Sequence, residues 1–123
     1  MYEVTIKSHF SGAHFLREYH GKCENLHGHN WTVEATLQGE QLSEIGMLYD
    51  FKELKKILHE ILDELDHTLL NDHSEFTKIN PSAESIARFI YNKLAKVITT
   101  PLVTVKQVCV HESENSYAVY RKQ

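Results

Sequence analysis

The sequence is poor in several things, and each absence excludes a class. Its 123 residues hold two cysteines, Cys23 and Cys109, too few for a disulfide framework. Two prolines and five glycines leave no room for a low-complexity linker. No apolar run is long enough to span a bilayer, and the alternating, charged start Met1-Tyr2-Glu3-Val4-Thr5-Ile6-Lys7 reads as a strand, not a signal peptide. A reducing cytoplasm is therefore expected. Basic residues are in deficit, with a formal charge of −4, so composition gives no support for nucleic-acid or membrane attraction.

What remains is an ordinary globular composition, expected to form one domain over 1–123 with a core of its own. Tyr2, Val4, Ile6, Ser8 and Phe10 alternate with polar residues, the period of a half-buried strand that runs on toward Leu16. Trp31, Val33, Ala35 and Leu37 repeat the pattern in a second strand, predicted to begin with His27 and His29. Asp50 reads as an N-cap, followed by Leu54, Ile57, Leu58, Ile61, Leu62 and Leu65 at helical spacing. The segment from Leu69 to Ile79 is expected to be irregular. Asn80-Pro81-Ser82 is expected to start a second helix, with Pro81 in its first turn. Leu102–His111 and Tyr117–Tyr120 read as strands, with a bulge near Lys106-Gln107. The order strand, strand, helix, helix, strand, strand predicts an α+β fold: a four-stranded antiparallel sheet with two helices on one face. Its open edges favour an oligomer.

The chemistry concentrates in Cys23-Glu24-Asn25-Leu26-His27-Gly28-His29. Residues i and i+2 of an extended chain share a face, so His27 and His29 can aim two imidazoles at one point. An antiparallel pairing of the first two strands brings His14 to the same place. Three histidines leave a fourth zinc position open, the pattern of catalytic zinc; Cys23 as fourth ligand would instead close a structural site. Cys23 can equally be a nucleophile or a base beside the metal. Asp66-His67 pairs a carboxylate with an imidazole, a proton-transfer unit if helix-end geometry lets the two meet, and otherwise a solvated helix end. Glu112, near a hairpin end, is either a solvated turn residue or an acceptor for a 2-amino-pyrimidinone edge. His9, His20, His59, His73 and His111 carry no spacing argument, and no lysine or arginine cluster marks a phosphate site.

Taken jointly, F-S-G-A-H at Phe10–His14, C-E-N-L-H-G-H at Cys23–His29, G-M-L-Y-D-F at Gly46–Phe51, L-D-H-T-L-L-N at Leu65–Asn71, N-P-S-A-E at Asn80–Glu84 and H-E at His111–Glu112 resemble the 6-pyruvoyltetrahydropterin synthase family over nearly the whole chain. The resemblance implies a T-fold, ββααββ, assembled as a homohexamer of two trimers with active sites between subunits. It implies zinc held by His14, His27 and His29, Cys23 as the proton-abstracting base, and Asp66 with His67 as a proton relay. Glu112 would anchor a pterin ring, and Ser82, where many members have Thr, would contact it. The substrate class implied is a pterin triphosphate. Three residues separate Cys23 from His27, as in the family's carboxytetrahydropterin-forming branch, which serves queuosine biosynthesis; the pyruvoyl-forming branch commonly has five.

Overall fold

The computed structural model describes residues 1–21 and 24–122. Strand β1 (Tyr2–His14) and strand β2 (His27–Gly39) form one long antiparallel ladder running from Tyr2↔Gly39 to His14↔His27. Period-two alternation decides what each side chain meets. Ile6 and Phe10 of β1 face the same side as Trp31, Val33, Ala35 and Leu37 of β2, and all six are buried.

That side is covered by two helices, α1 (Phe51–Asp63) and α2 (Ala83–Val97). Asp50 caps α1 by accepting from the Lys52 N–H. Leu54, Ile57, Leu58, Ile61 and Leu62 line the buried stripe of α1, and Ile86, Phe89, Ile90 and Leu94 that of α2. α1 packs over β1, while α2 packs over β4 (Thr104–Ser113) and β5 (Ser116–Tyr120). Among the described residues, no helix is long and apolar enough to cross a membrane.

Among the described residues the sheet has five strands in the order β3-β1-β2-β4-β5, not the four expected. The extra strand, β3 (Thr68–Leu69), pairs parallel with Gly12 and Ala13. Two residues carry no readable alternation, so only the backbone reveals it. The chain reaches this position by a left-handed turn at His67, φ +57°. After β3, two short 3-10 turns at Leu70–Asp72 and Ser74–Phe76 occupy part of the segment expected to be irregular, and residues 77–79 keep no regular structure. Helix α2 also starts later than the sequence suggested: Ser82 is the N-cap and Pro81 stands outside the helix.

Both ends of β4 are irregular. Between Thr36↔Gln107 and Leu37↔Val105, Lys106 is the extra residue, the bulge expected from the slipped alternation. Between His111↔Tyr117 and Ser113↔Ser116, Glu112 is the extra residue, a second bulge that the sequence did not signal.

Candidate metal centre

His14 and His27 are the last pair of the β1–β2 ladder, and His29 lies opposite Gly12. All three point to the helix side. Their rings form edge contacts with centroids 4.6 to 5.1 Å apart. Trp31 is the floor beneath them, 4.9 Å from His14 and 5.1 Å from His29. The tryptophan is fully buried and fixed by its Nε1–H, which donates to the Gly12 carbonyl at 3.2 Å. Apolar alternation placed Trp31 in the core; nothing in the pattern marked it as the support of the cluster.

The outer ring nitrogens are tethered. Nδ1 of His14 lies 2.7 Å from the Pro81 carbonyl, and Nδ1 of His27 lies 2.8 Å from the Asn25 carbonyl. A carbonyl only accepts, so each Nδ1 donates, and the tautomer protonated at Nδ1 leaves Nε2 as the nitrogen with a lone pair. Those two Nε2 atoms face each other at 3.1 Å. Either a shared proton or a metal ion between them makes that approach favourable. Nε2 of His29 is buried and has no hydrogen-bond partner among the described residues. Glu112 Oε1 is 3.3 Å from it, outside hydrogen-bonding geometry. Burial lowers the His29 pKa, an effect that Glu112 opposes and that the other two histidines reinforce. The deprotonated ring that results is the form that binds metal.

The donor set therefore fits a metal ion. His14, His27, His29 and Glu112 offer ligand atoms all within 4.8 Å of one another. Around tetrahedral zinc, nitrogen neighbours stand about 3.3 Å apart, close to the observed spacing. Backbone carbonyls holding the far ring nitrogens are the usual outer partners of metal-binding histidines.

Asp66 and His67 meet despite being adjacent in sequence. The left-handed backbone of His67 swings its ring back, and Nδ1 comes 3.0 Å from Asp66 Oδ2. Asp66 Oδ1 accepts from the Ser11 N–H at 2.9 Å, and the His67 N–H donates to the Ser11 carbonyl at 2.6 Å. The Ser11 N–H is the largest cause of a lowered Asp66 pKa, with the His67 contact adding to it. His67 itself is 82% exposed. His67 borders a groove of about 490 Å³ with Ser11, Ala13, Gly28 and Asn30, on the face of the sheet opposite the three imidazoles. Ser82 spends its hydroxyl on the α2 cap, accepting from the Ser85 N–H at 3.2 Å, one residue from the carbonyl that tethers His14. Cys23 lies outside the described residues.

Several positions that the sequence did not mark also shape the site. Asn71 and Asn80 each hold the chain leaving β1 by a pair of hydrogen bonds, to Phe15 and Arg17 respectively. Their signal was present only as membership of two motifs. Lys7, Lys52, Lys55 and Lys56 gather with His59 in a basic groove between β1 and α1. Lys52, Lys55, Lys56 and His59 share one helical face that the sequence displays, whereas the approach of Lys7 to them depends on the packing of α1 over β1.

A sheet with two helices on one face, ending in a histidine triad built by its first two strands, defines a class of enzyme domain. The chain belongs to the 6-pyruvoyl tetrahydropterin synthase family, whose profile matches residues 3–123. It is 39% identical to the 6-carboxy-5,6,7,8-tetrahydropterin synthase of Bacillus subtilis, over 98% of this chain and 85% of that one. It is 35% identical to the 6-pyruvoyl tetrahydrobiopterin synthase of Dictyostelium discoideum, over 96% of this chain and 94% of that one. The solved structure of Caenorhabditis elegans 6-pyruvoyl tetrahydropterin synthase superposes with a TM-score of 0.83 at 31% identity, covering 100% of this chain and 98% of that one.

Proposed function

We propose that this chain converts 7,8-dihydroneopterin triphosphate to 6-carboxy-5,6,7,8-tetrahydropterin, with release of acetaldehyde and triphosphate, as a step of queuosine biosynthesis. The observation that carries the reading is the convergence of His14, His27 and His29 with their far nitrogens tethered to carbonyls. The carboxy branch is favoured by the three-residue gap between Cys23 and His27 and by the likeness to the Bacillus subtilis enzyme.

In this reading His14, His27 and His29 hold zinc. Bound there, zinc supplies Lewis acidity toward the hydroxyls of the substrate side chain. Cys23 removes a side-chain proton as thiolate. His67, oriented through Nδ1 by Asp66, returns protons through its free Nε2. Glu112 accepts the N–H donors of the pterin ring, which its position beside His29 would set next to the reacting side chain. Ser82 contributes at most a neighbouring contact, because its hydroxyl already caps α2.

Assembly as a homohexamer completes the proposal. β3 covers only Gly12 and Ala13 of the outer edge of β1, and β5 ends the sheet on the other side. Pairing of such edges between copies would also cover the exposed His67 ring. The lysine groove sits at Lys7, seven residues or roughly 23 Å along β1 from His14, too far to hold the triphosphate of a substrate bound in the same chain.

The deciding experiment is incubation of the zinc-loaded protein with dihydroneopterin triphosphate and identification of the products by mass. Carboxytetrahydropterin with acetaldehyde is the expected outcome. A pyruvoyl-pterin as sole product would reassign the branch, and no turnover with zinc bound would leave a non-catalytic zinc module.

A further inference from the structure

On the helix-free face of the sheet, a second group of donors converges. Glu34 and Cys109 are directly paired across β2 and β4, and His111 follows Cys109 by two residues on the same face. His111 Nε2 is 2.7 Å from Glu34 Oε2 and 3.4 Å from Cys109 Sγ. One ligand atom from each residue lies within 4.8 Å of the others. The cysteine is buried, while Glu34 and His111 are half-buried.

We propose that Glu34, Cys109 and His111 form a second divalent-metal site, selective for zinc-like ions. Around tetrahedral zinc, with bonds of about 2.0–2.1 Å to nitrogen and oxygen and about 2.3 Å to sulfur, nitrogen–sulfur neighbours stand about 3.5 Å apart and nitrogen–oxygen neighbours about 3.3 Å. The His111–Cys109 separation already has that value. The His111–Glu34 pair is shorter because a proton bridges it, and rotation of the Glu34 side chain opens it by about 0.6 Å once an ion replaces the proton. One sulfur, one imidazole and one carboxylate favour zinc or cobalt over magnesium or calcium. The fourth position opens away from the helices. The site is separate from the histidine triad, because β2 directs His27 and His29 to the helix side and Glu34 to the opposite one.

Cobalt(II) titration of metal-stripped, full-length Cys23→Ser protein tests this, since Cys109 is then its one thiol. Two equivalents should bind, one with a near-ultraviolet thiolate-to-cobalt band. Cys109→Ser and His111→Gln should each abolish that band and one equivalent. His27→Ala should remove the other equivalent and keep the band. A single equivalent, or no thiolate band at saturating cobalt in protein with an intact circular-dichroism spectrum, would overturn the proposal. The parent protein carries this readout, so the result stands even if a further variant fails to fold.

Discussion

Asn71 grips the backbone of Phe15 at both of its polar groups: the Phe15 N–H donates to Oδ1 at 3.0 Å, and Nδ2 donates to the Phe15 carbonyl at 2.9 Å. The side-chain amide thus imitates a neighbouring strand just where β1 ends. Asn80 repeats the device on Arg17, at 2.8 and 2.9 Å. Between them the two amides hold the chain from Phe15 to Arg17 as it leaves β1.

Asn71→Ala should therefore leave two half-buried backbone groups of Phe15 without their partner and destabilise the fold by about 1–3 kcal/mol. Urea midpoints measure that loss. Turnover should fall further than stability accounts for, and Asn71→Asp, which keeps only the acceptor, should lie between.

The metal and the proposed base should separate cleanly. His27→Ala should lower zinc affinity by more than about tenfold, whereas Cys23→Ala should retain zinc and lose turnover by about 10²–10⁴-fold. Zinc content by mass spectrometry and product formation are read on the same samples. Loss of zinc from Cys23→Ala would make the cysteine a ligand.

Chelation should lower the melting temperature, because an ion bound only by the folded chain adds its binding free energy to stability. The shift should shrink for His14→Ala, which loses the contribution of the triad and keeps only that of an ion at Glu34, Cys109 and His111. Thermal scans at graded zinc concentrations provide the check.

Asp66 gives an acid-side prediction. Its folded pKa is lowered, chiefly by the Ser11 N–H, so the folded chain prefers the ionised form more than the unfolded chain does. That contribution is present above the unfolded carboxylate value and is lost as the pH falls through the lower folded value. Asp66→Asn should flatten this part of the acid limb of a stability–pH curve. His67→Gln should flatten it in part, since the Ser11 N–H remains.

The two long strands, both helices and the histidine triad were legible because each follows a simple period. Alternation placed His27 and His29 on the face of Trp31, and the antiparallel pairing brought His14 to them. The positions that stayed hidden depend on backbone events with no period. The left-handed residue at His67 closes the Asp66–His67 contact and launches β3. Tethering of His14 by Pro81 joins residues 67 apart in sequence. Glu112 reaches His29 from the end of β4, where a bulge interrupts its pairing with β5.

The ladder of β1 and β2 ends at His14↔His27, with twelve residues of sequence between the two strands, too many for a two-residue hairpin turn to set their alignment. Hairpins usually take their alignment from the turn. Here an ion gripping the terminal pair would serve as the missing closure. A slip of one residue would send His27 and His29 to the helix-free face and leave the ion with His14 alone. Metal capture would then act during folding as a proofreading step, accepting one alignment of the longest hairpin and rejecting its neighbours.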